Sequence, residues 1–302
     1  MSVILRTNQL TKRYAHRTVV DHLSMTIHEG DIYGFIGKNG AGKTTLIRMI
    51  TGLAAPDDGT ILMFGSPDLP EGRKFTGTVI ESPALYPGMT AKENLLAQYK
   101  LQGIRNESQA DSILTLVGLD DAGTKKAKDF SLGMRQRLAI GIALIGNPKF
   151  LILDEPTNGL DPEGIKEIRD LILRLNHDRK ITVLISSHIL GELSKFATRY
   201  GIIHQGTLLQ EITDEELRER CSERLEITLS SPELAIPVLD RLGIRRYQVM
   251  DKEHIYVFER LDESARLNME FAKAGIPVKG LAVTNEELET YFLNLTGGNA
   301  HA

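Results

Sequence analysis

Residues 37–44 read Gly-Lys-Asn-Gly-Ala-Gly-Lys-Thr and come directly after the apolar run of residues 32–36. Glycines in such a segment let backbone N–H groups turn inward around a phosphate, and a helix N-terminus behind them favours negative charge. The lysine then contacts the outer phosphates, and the threonine hydroxyl is a ligand for Mg²⁺. The segment therefore predicts a P-loop that binds a nucleoside triphosphate together with Mg²⁺.

The predicted nucleotide contacts extend one residue beyond this loop. Lys43 is expected between the β- and γ-phosphates, Thr44 at Mg²⁺ and Thr45 at the α-phosphate. The full set consists of Gly37, Lys38, Asn39, Gly40, Ala41, Gly42, Lys43, Thr44 and Thr45. An ordinary glycine turn between a strand and a helix is the structural alternative, and the complete pattern in this context argues against it.

A second chemical feature is the acidic end of an apolar run. Residues 150–153 are Phe-Leu-Ile-Leu, and Asp154 and Glu155 follow them. We expect this strand to lie beside the P-loop strand, so that both direct their carboxyl ends at one ligand. Asp154 would then hold Mg²⁺ through a water molecule, and Glu155 would polarise the attacking water. A strand that merely ends in solvated acids is the alternative.

The elements that position these residues alternate between strand and helix up to about residue 210, which predicts a parallel-rich α/β core with an antiparallel β portion at its start. Strands are predicted over residues 3–10, 19–27, 31–36, 60–64, 79–81, 150–153, 182–186 and 200–204. Helices are predicted over residues 44–51, 90–102, 109–117, 132–145, 163–177 and 189–197.

The last part of the chain has a different pattern. Strands are predicted over 225–229, 247–250, 254–259 and 278–283, and helices over 232–242 and 262–274, with a closing helix at 286–295. This order is βαββαβ, the ferredoxin-like arrangement. We therefore expect a first domain over residues 1–213, a linker helix over 214–224 and a small α+β domain over 225–302.

Composition limits the classes of function. The chain has 302 residues and a formal net charge of −4, spread over both signs, which is not the basic footprint of a nucleic-acid-binding domain. Cys221 is its one cysteine, and the first ten residues lack the layout of a secretory signal. No apolar run reaches the ~20 residues of a membrane-spanning helix. We expect a protein of the reducing cytosol that binds no nucleic acid and does not cross a bilayer by itself.

Three further segments complete a recognisable order. Residues 130–137 read Phe-Ser-Leu-Gly-Met-Arg-Gln-Arg, the acidic strand continues into a turn at 158–162, and His188 follows a strand. With the P-loop and Tyr14, their order and approximate spacing resemble those of the ATP-binding cassette ATPases over residues 5–209. The resemblance implies a P-loop NTPase cassette with a RecA-like parallel core, an antiparallel β subdomain and a helical subdomain.

The resemblance also implies a role for each segment. Ser131 and Gly133, at a helix N-terminus, would contact the γ-phosphate of ATP held by a second copy of the protein. His188 would hold the γ-phosphate and the attacking water. Asp161 would join the nucleotide-binding residues, and Tyr14 would stack on adenine. The alternatives are a plain N-cap for Ser131, a surface position for His188 and simple packing for Tyr14.

Two departures from the family pattern favour one branch of the family. Residues 130–137 resemble the signature motif of the family, and we call them the signature segment. Glu81 follows a strand where the family generally has glutamine, and Leu132 replaces one glycine of the signature segment. Both features resemble the ATPases of bacitracin-resistance and lantibiotic self-protection exporters, which also carry a small C-terminal extension. Because a glutamate here can still approach Mg²⁺ and water, Glu81 is interpreted as a catalytic residue and, with Thr44 and Asp154, as a metal ligand.

The implied function is that of the ATPase subunit of a membrane exporter. ATP binding would close a head-to-tail pair of cassettes, and hydrolysis would reopen them and move separate permease chains in the membrane. Glu81 and the loop over residues 82–89 would face those chains, which hold the subunit at the inner face of the membrane. A homodimer is implied, although the sequence leaves open whether both cassettes are identical, and peptide antibiotics are the implied cargo.

Two other interpretations stay open. A soluble regulatory cassette would clamp a ribosome, nucleic acid or protein partner without transport, but most such relatives have two cassettes in one chain or a long coiled-coil insertion, and this sequence has neither. The C-terminal domain could serve only in dimerisation or ligand sensing, because no catalytic cluster is recognisable in it.

Overall fold

A computed structural model describes residues 2–81, 84–104, 107–284 and 288–296, apart from the side chains of Glu107 and Glu289. The chain divides into two compact units, Met1–Asp214 and Glu215–Ala302. Residues 82 and 83 of the loop expected to face the permease, and residues 286 and 287 of the predicted closing helix, lie outside the described residues. None of the described helices is both long enough and apolar enough to cross a bilayer.

The first unit contains a six-stranded and a three-stranded sheet. Its strands are β1 Val3–Tyr14, β2 Arg17–His28, β3 Ile32–Ile36, β4 Asp58–Met63, β5 Thr76–Val79, β6 Phe150–Asp154, β7 Thr182–Ser187, β8 Arg199–His204 and β9 Thr207–Thr213. The larger sheet has the order β5-β6-β7-β3-β8-β9, and its pairs are parallel except that β9 is antiparallel to β8. The predicted parallel-rich core is confirmed, and so is the antiparallel portion at its start, which consists of β1, β2 and β4.

The P-loop strand and the acidic strand are not neighbours, so that expectation was wrong. β7 lies between β3 and β6 and pairs with both. All six residues of β7 are buried, as a central parallel strand requires. Strand order in a sheet does not follow chain order when long crossovers join the strands, and the sequence therefore did not reveal this insertion. The register pairs Ile36 with Ser187 and Asp154 with Ser186, which brings all three carboxyl ends to one edge.

Seven helices accompany these sheets in the described part of the first unit. They are α1 Lys43–Thr51, α2 Leu69–Lys74, α3 Ala91–Leu101, α4 Ala110–Leu116, α5 Leu132–Ala143, α6 Pro162–Arg179 and α7 Leu190–Leu193. Side-chain caps start several of them: Thr90 and Glu93 form a capping box on α3, and Asp161 caps α6. The helix predicted over 189–197 is a single turn in the structure, and α2 and β9 were not predicted.

The three-stranded sheet has the order β2-β1-β4 and is antiparallel. Its inward side chains, such as Leu5 and Met25, belong to one buried cluster with Phe35 of β3 and Leu46 of α1. Burial of such side chains stabilises each by about 1.5–3 kcal/mol relative to exposure. This core therefore fixes the P-loop strand and the helix after it against the antiparallel sheet.

The second unit is a ferredoxin-like domain flanked by two helices. Its elements are α8 Asp214–Cys221, β10 Arg224–Leu229, α9 Ile236–Arg241, β11 Tyr247–Val249, β12 His254–Val257, α10 Ser264–Lys273, β13 Val278–Thr284 and α11 Leu288–Leu295. The antiparallel sheet has the order β11-β12-β10-β13, and this βαββαβ arrangement agrees with the fold predicted for the region. Residues from 215 onward group with this unit, which takes in most of the segment predicted as a linker.

Candidate nucleotide-binding site

The P-loop connects the end of β3 to the start of α1. A Cβ at Gly37 would lie 2.6 Å from the carbonyl oxygen of Ile203, so no larger residue fits there. Gly40 and Gly42 have φ angles of +79° and +110°, which glycine adopts without strain. The helix begins at Lys43 directly behind them. Backbone geometry thus requires the glycine spacing, and it aims the N-terminus of α1 at the loop.

The buried amino group of Lys43 lies inside this loop. Its Nζ donates hydrogen bonds to the carbonyl oxygens of Gly37 at 2.5 Å and Lys38 at 3.4 Å. It also forms an ion pair with Glu155, 3.0 Å from Oε1. Because Lys43 is 5% exposed, this charge is well shielded from solvent. A polyphosphate in the loop would therefore compete directly with Glu155 for Lys43.

A buried serine positions the two acids at the end of β6. Ser186 Oγ donates a hydrogen bond to Asp154 Oδ1 at 2.6 Å and accepts one from the Glu155 N–H at 2.9 Å. Asp154 is 4% exposed, so the serine provides a polar partner that burial of a carboxylate requires. One hydroxyl therefore fixes a carboxylate on one residue and the backbone of the next.

Glu155 lies between Lys43 and His188. Its Oε2 is 2.8 Å from His188 Nδ1, while its Oε1 faces the lysine. The φ angle of Glu155 is +49°, a conformation that costs a residue with a side chain about 1–2 kcal/mol and is common at functional sites. Its side chain is 19% exposed, so water can reach it. A carboxylate held in this way can accept a proton from a water molecule.

The residues around the loop fit a nucleotide with Mg²⁺. Thr44 and Thr45 are half-buried, and within the described residues their hydroxyls have no hydrogen-bond partner. Together with the buried Asp154 carboxylate, the Thr44 hydroxyl is the kind of hard oxygen ligand that Mg²⁺ prefers. The remaining predicted loop residues differ in exposure, with Lys38 and Asn39 exposed and Ala41 buried.

Glu81 pairs with a cation of the protein. It lies two residues beyond the end of β5, since the strand predicted over 79–81 ends at Val79. Its carboxylate forms an ion pair with Arg48 of α1, and the two side chains are 58% and 41% exposed. The φ angle of Glu81 is +60°. Its role at the metal therefore stays a prediction, and that role requires Glu81 to exchange Arg48 for Mg²⁺.

The signature segment starts a helix on the surface. Ser131 is the N-cap of α5, and its Oγ accepts a hydrogen bond from the Met134 N–H at 3.2 Å. Among the described residues, no hydrogen bond or ion pair joins Ser131 or Gly133 to residues 37–45 of the same chain. Ser131 is exposed, so this helix N-terminus can offer donors to an anion on another molecule.

Leu132, the unusual residue of this segment, lies against the loop that follows the acidic strand. A Cβ at Gly159 would be 3.3 Å from Leu132 Cδ2. Asp161, assigned to nucleotide binding, is the N-cap of α6 and accepts a hydrogen bond from the Gly164 N–H at 3.0 Å. The structure thus brings the signature segment and this loop together within one chain.

Tyr14 lies at the exposed end of β1. Its side chain is 46% exposed, and Lys12 Nζ is 5.3 Å from the centroid of its ring. It pairs with Arg17 across the hairpin, and the carbonyl oxygen of Val19, two residues on, would be 2.7 Å from a Cβ at Gly42. The hairpin that carries Tyr14 therefore lies against the P-loop at Gly42, and the exposed Tyr14 ring is available for stacking.

Sequence reasoning missed three contributors to the site. Ser186 positions the acids, Arg48 pairs with Glu81, and Glu192 accepts a hydrogen bond from Thr157 at 2.8 Å. The signal for the serine was present, because a hydroxyl in an otherwise apolar buried strand needs a polar partner. The other two have no comparable signal, since surface charges on helices are common.

Known relatives resemble this chain along its whole length. Residues 20–158 match the profile of the ABC transporter family. The bacitracin transport ATP-binding protein BcrA of Bacillus licheniformis is 44% identical over 302 residues, which cover 99% of each chain. BcrA of Enterococcus faecalis is 37% identical, covering 100% of this chain and 99% of its own. The lantibiotic transport ATP-binding protein SrtF of Streptococcus pyogenes is 40% identical over 208 residues, 69% of this chain and 90% of its own.

Solved structures resemble about three quarters of the chain. The ADP conformation of an ATP-binding cassette of an ABC transporter aligns with a TM-score of 0.66 and 26% identity, covering 73% of this chain and 95% of that one. A nucleotide-free cassette from an ABC transporter aligns with a TM-score of 0.65 and 27% identity, covering 72% and 94%. With its P-loop, its acidic strand end and relatives that match it end to end, this chain belongs to the ABC transporter family, as an ATP-binding cassette ATPase.

Proposed function

We propose that this chain hydrolyses ATP to drive a membrane exporter that removes peptide antibiotics of the bacitracin or lantibiotic type. The observation that carries the proposal is the 44% identity to a bacitracin transport ATP-binding protein across 99% of both chains. This match includes the second unit as well as the cassette that the whole family shares. Similarity confined to the cassette would support only the family.

Hydrolysis is assigned to residues at the carboxyl ends of β3, β6 and β7. The loop amides and Lys43 bind the phosphates, with Thr45 at the α-phosphate and Tyr14 stacked on adenine. When the phosphates engage Lys43, Glu155 loses its ion pair and becomes free to accept the proton of the attacking water. His188, which contacts Glu155 at 2.8 Å, orients that carboxylate and holds the γ-phosphate.

Mg²⁺ is proposed to be held by Thr44, Asp154 and Glu81. Bound there, it would neutralise charge on the phosphate oxygens. The buried hydrogen bond from Ser186 holds the Asp154 carboxylate in the orientation that metal binding requires. For Glu81, binding the metal means giving up Arg48.

The working assembly is proposed to be a head-to-tail pair of cassettes on a permease. Ser131 and Gly133 of one copy face the ATP of the other, and Asp161 lies in the loop that contacts the signature segment. Permease subunits hold the pair at the cytoplasmic face of the membrane. The names of the relatives, which refer to transport, support this arrangement over a regulatory cassette that acts without a permease.

The test is resistance in the host. A strain deleted for this chain is complemented with the parental gene, with Glu155→Gln, or with Glu163→Gln, which changes an exposed glutamate in the first turn of α6. We expect deletion and Glu155→Gln to lower the inhibitory concentrations of bacitracin and of a lantibiotic several-fold, and Glu163→Gln to restore them. An antibiotic with an intracellular target serves as the control.

Equal sensitivity of the deleted and parental strains to every envelope-directed peptide would contradict the cargo proposal. A tagged chain that then purified with ribosomes or nucleic acid, rather than with membrane proteins, would support the regulatory alternative.

A further inference from the structure

The second unit contains an open cavity of about 740 Å³ that the proposed ATPase does not use. Its wall lies between α8, α11 and the strands β10, β11 and β12. Aromatic side chains, three arginines and two glutamates line it; those on which the argument depends are Arg220, Arg224, Arg246, Tyr247, Tyr256 and Phe258. Cavities of this size are typical of sites for small organic ligands. We call this feature the C-terminal cavity.

Tyr256 and Phe258 in the cavity wall belong to the face of the sheet opposite the domain core, whereas Tyr247 of the edge strand β11 packs against that core. Along β12, Ile255 and Val257 are fully buried in the core cluster, and Tyr256 between them points to the other face because strand side chains alternate. Along β10, Leu225 is buried in the same core, and Arg224 before it lies on the cavity side. A tyrosine and an arginine therefore occupy positions on this sheet that the core does not need.

Two of the arginines are held in place by the domain. The Arg224 guanidinium carbon lies 4.4 Å from the centroid of the Tyr256 ring, and its Nη1 donates a hydrogen bond to the Arg220 carbonyl oxygen at 2.7 Å. Arg220 Nη1 in turn donates to Tyr291 Oη at 2.9 Å. Guanidinium groups fixed in this way lose little freedom when an anion binds, which favours affinity.

The guanidinium of the third arginine, Arg246, is available to a ligand. The backbone N–H of Arg246 donates to Glu259 Oε1 at 2.9 Å, but in the part of the chain that the structure describes its guanidinium forms no hydrogen bond or ion pair. Its neighbour Arg245 differs, because it pairs with Asp240 at 3.4 Å and does not line the cavity. The two adjacent arginines thus form a natural pair of test and control positions.

We propose that the C-terminal cavity binds a small aromatic carboxylate. Guanidinium groups match the geometry of a carboxylate, and tyrosine and phenylalanine rings pack well against an aromatic ring. Glu216 and Glu219 also line the cavity, so its three arginines exceed its acids by one. That balance suits an anion of one charge better than a phosphate dianion. The site stands on the second unit alone and does not depend on what the exporter carries.

Binding is tested on the full-length protein by ligand-observed NMR titration. The probe is 3-phenylpropionate, with propionate lacking the ring and 3-phenylpropan-1-ol lacking the charge. We expect the aromatic acid to bind at least about tenfold more tightly than either, because propionate loses the packing of the ring and the alcohol loses the charge-assisted hydrogen bonds. Phenylalanine adds an ammonium group that would lie near the glutamates. Comparing its affinity with that of 3-phenylpropionate distinguishes a site for an amino acid from a site for an acid without an amine.

Matched variants locate the site. Arg246→Gln should weaken 3-phenylpropionate about tenfold, whereas Arg245→Gln should leave its affinity unchanged. Lys43→Ala should also leave it unchanged, which separates this cavity from the nucleotide site. Absence of saturable binding, equal affinity for acid and alcohol, or equal effects of the two arginine variants would each overturn the proposal. Within the described residues the Arg246 guanidinium forms no hydrogen bond or ion pair, and only its charge acts on Glu259, so its loss does not threaten the fold.

Discussion

At the scale of single residues, the nucleotide site is organised around Glu155. Its carboxylate lies between Lys43 and His188, and its backbone has a left-handed φ angle of +49°. We predict that Glu155→Gln lowers the rate of ATP hydrolysis by about 10²–10⁴-fold, the usual contribution of a general base. ATP binding should persist or strengthen, because a neutral amide competes less for Lys43. Phosphate release and nucleotide binding are measured on the same preparation.

The control for this variant is Glu163→Gln, which removes an equal charge from an exposed position nearby in the chain. It should hydrolyse ATP at the parental rate. Parental turnover by Glu155→Gln would show that another group activates the water.

Ser186 is the residue that the acids depend on for their orientation. Its loss leaves the buried Asp154 carboxylate and the Glu155 N–H each without a partner. We therefore predict that Ser186→Ala lowers the free energy of unfolding by about 1–3 kcal/mol and also slows hydrolysis. Urea unfolding and phosphate release measure the two effects.

Ser112→Ala is a suitable comparison, since its hydroxyl bonds a carbonyl oxygen on the exposed side of a helix. That change should alter stability by less than about 0.5 kcal/mol. An equal loss of stability in both variants would mean that the buried Ser186 hydroxyl stabilises the fold no more than an exposed hydroxyl does.

At the scale of elements, a buried phenol joins the P-loop strand to the edge of the sheet. Tyr33 of β3 donates a hydrogen bond to Glu211 Oε1 of β9 at 2.8 Å, and the same oxygen accepts the Thr26 N–H of β2 at 3.1 Å. A Cβ at Gly201 of β8 would lie 2.3 Å from the phenol oxygen, so the intervening strand needs glycine to let the ring pass. Three strands, one of which leads into the P-loop, thus share one contact.

This contact predicts a stability change in alkali. Burial, and then the Glu211 carboxylate, raise the pKa of Tyr33 well above its ordinary value. The folded state therefore keeps its proton at pH values where the unfolded chain has lost it. This contribution is complete below about pH 10, the pKa of an unfolded tyrosine, and is lost as pH rises further. Tyr33→Phe should lower the free energy of unfolding by about 1 kcal/mol at neutral pH, and this free energy should then fall less steeply in alkali than it does in the parent.

Denaturant unfolding of both proteins at pH 7 and above pH 10 measures this difference. The gap in stability between parent and Tyr33→Phe should narrow in alkali. A gap that is constant with pH would mean that the phenol proton is held no more tightly in the folded state.

Elements were predictable from sequence where local order determines them, and not where distant pairing does. The glycines of the P-loop lie close together in the sequence, and so do the two acids after residue 153, so their spacing can be read directly from it. The insertion of β7 between β3 and β6 depends on crossovers, which strand patterns do not encode. The pairing of Glu81 with Arg48 joins residues 33 positions apart that each look like ordinary surface charges.

At the scale of the whole molecule, a single chain offers only half of each proposed ATP site. In the proposed site residues 37–45 surround the phosphates, whereas Ser131 caps a different helix and is exposed. If two copies meet head to tail, the serine-led helix of one must reach the nucleotide of the other. The consequence can be separated from simple dimerisation, because each half of a site then belongs to a different chain.

Two defective variants should therefore restore one site when mixed. Both carry Glu155→Gln to prevent turnover; one adds Lys43→Ala and loses its phosphate contact, and the other adds Ser131→Arg and blocks the helix tip. Each alone should remain monomeric with ATP. Their mixture should form a heterodimer, because the intact P-loop of the second variant meets the intact Ser131 of the first. Size-exclusion chromatography with light scattering, using one tagged variant, measures this. The Ser131→Arg variant should still fold, since losing this cap costs only about 1 kcal/mol, and circular dichroism checks this. If it folds, a mixture that stays monomeric while Glu155→Gln alone dimerises would exclude the head-to-tail arrangement.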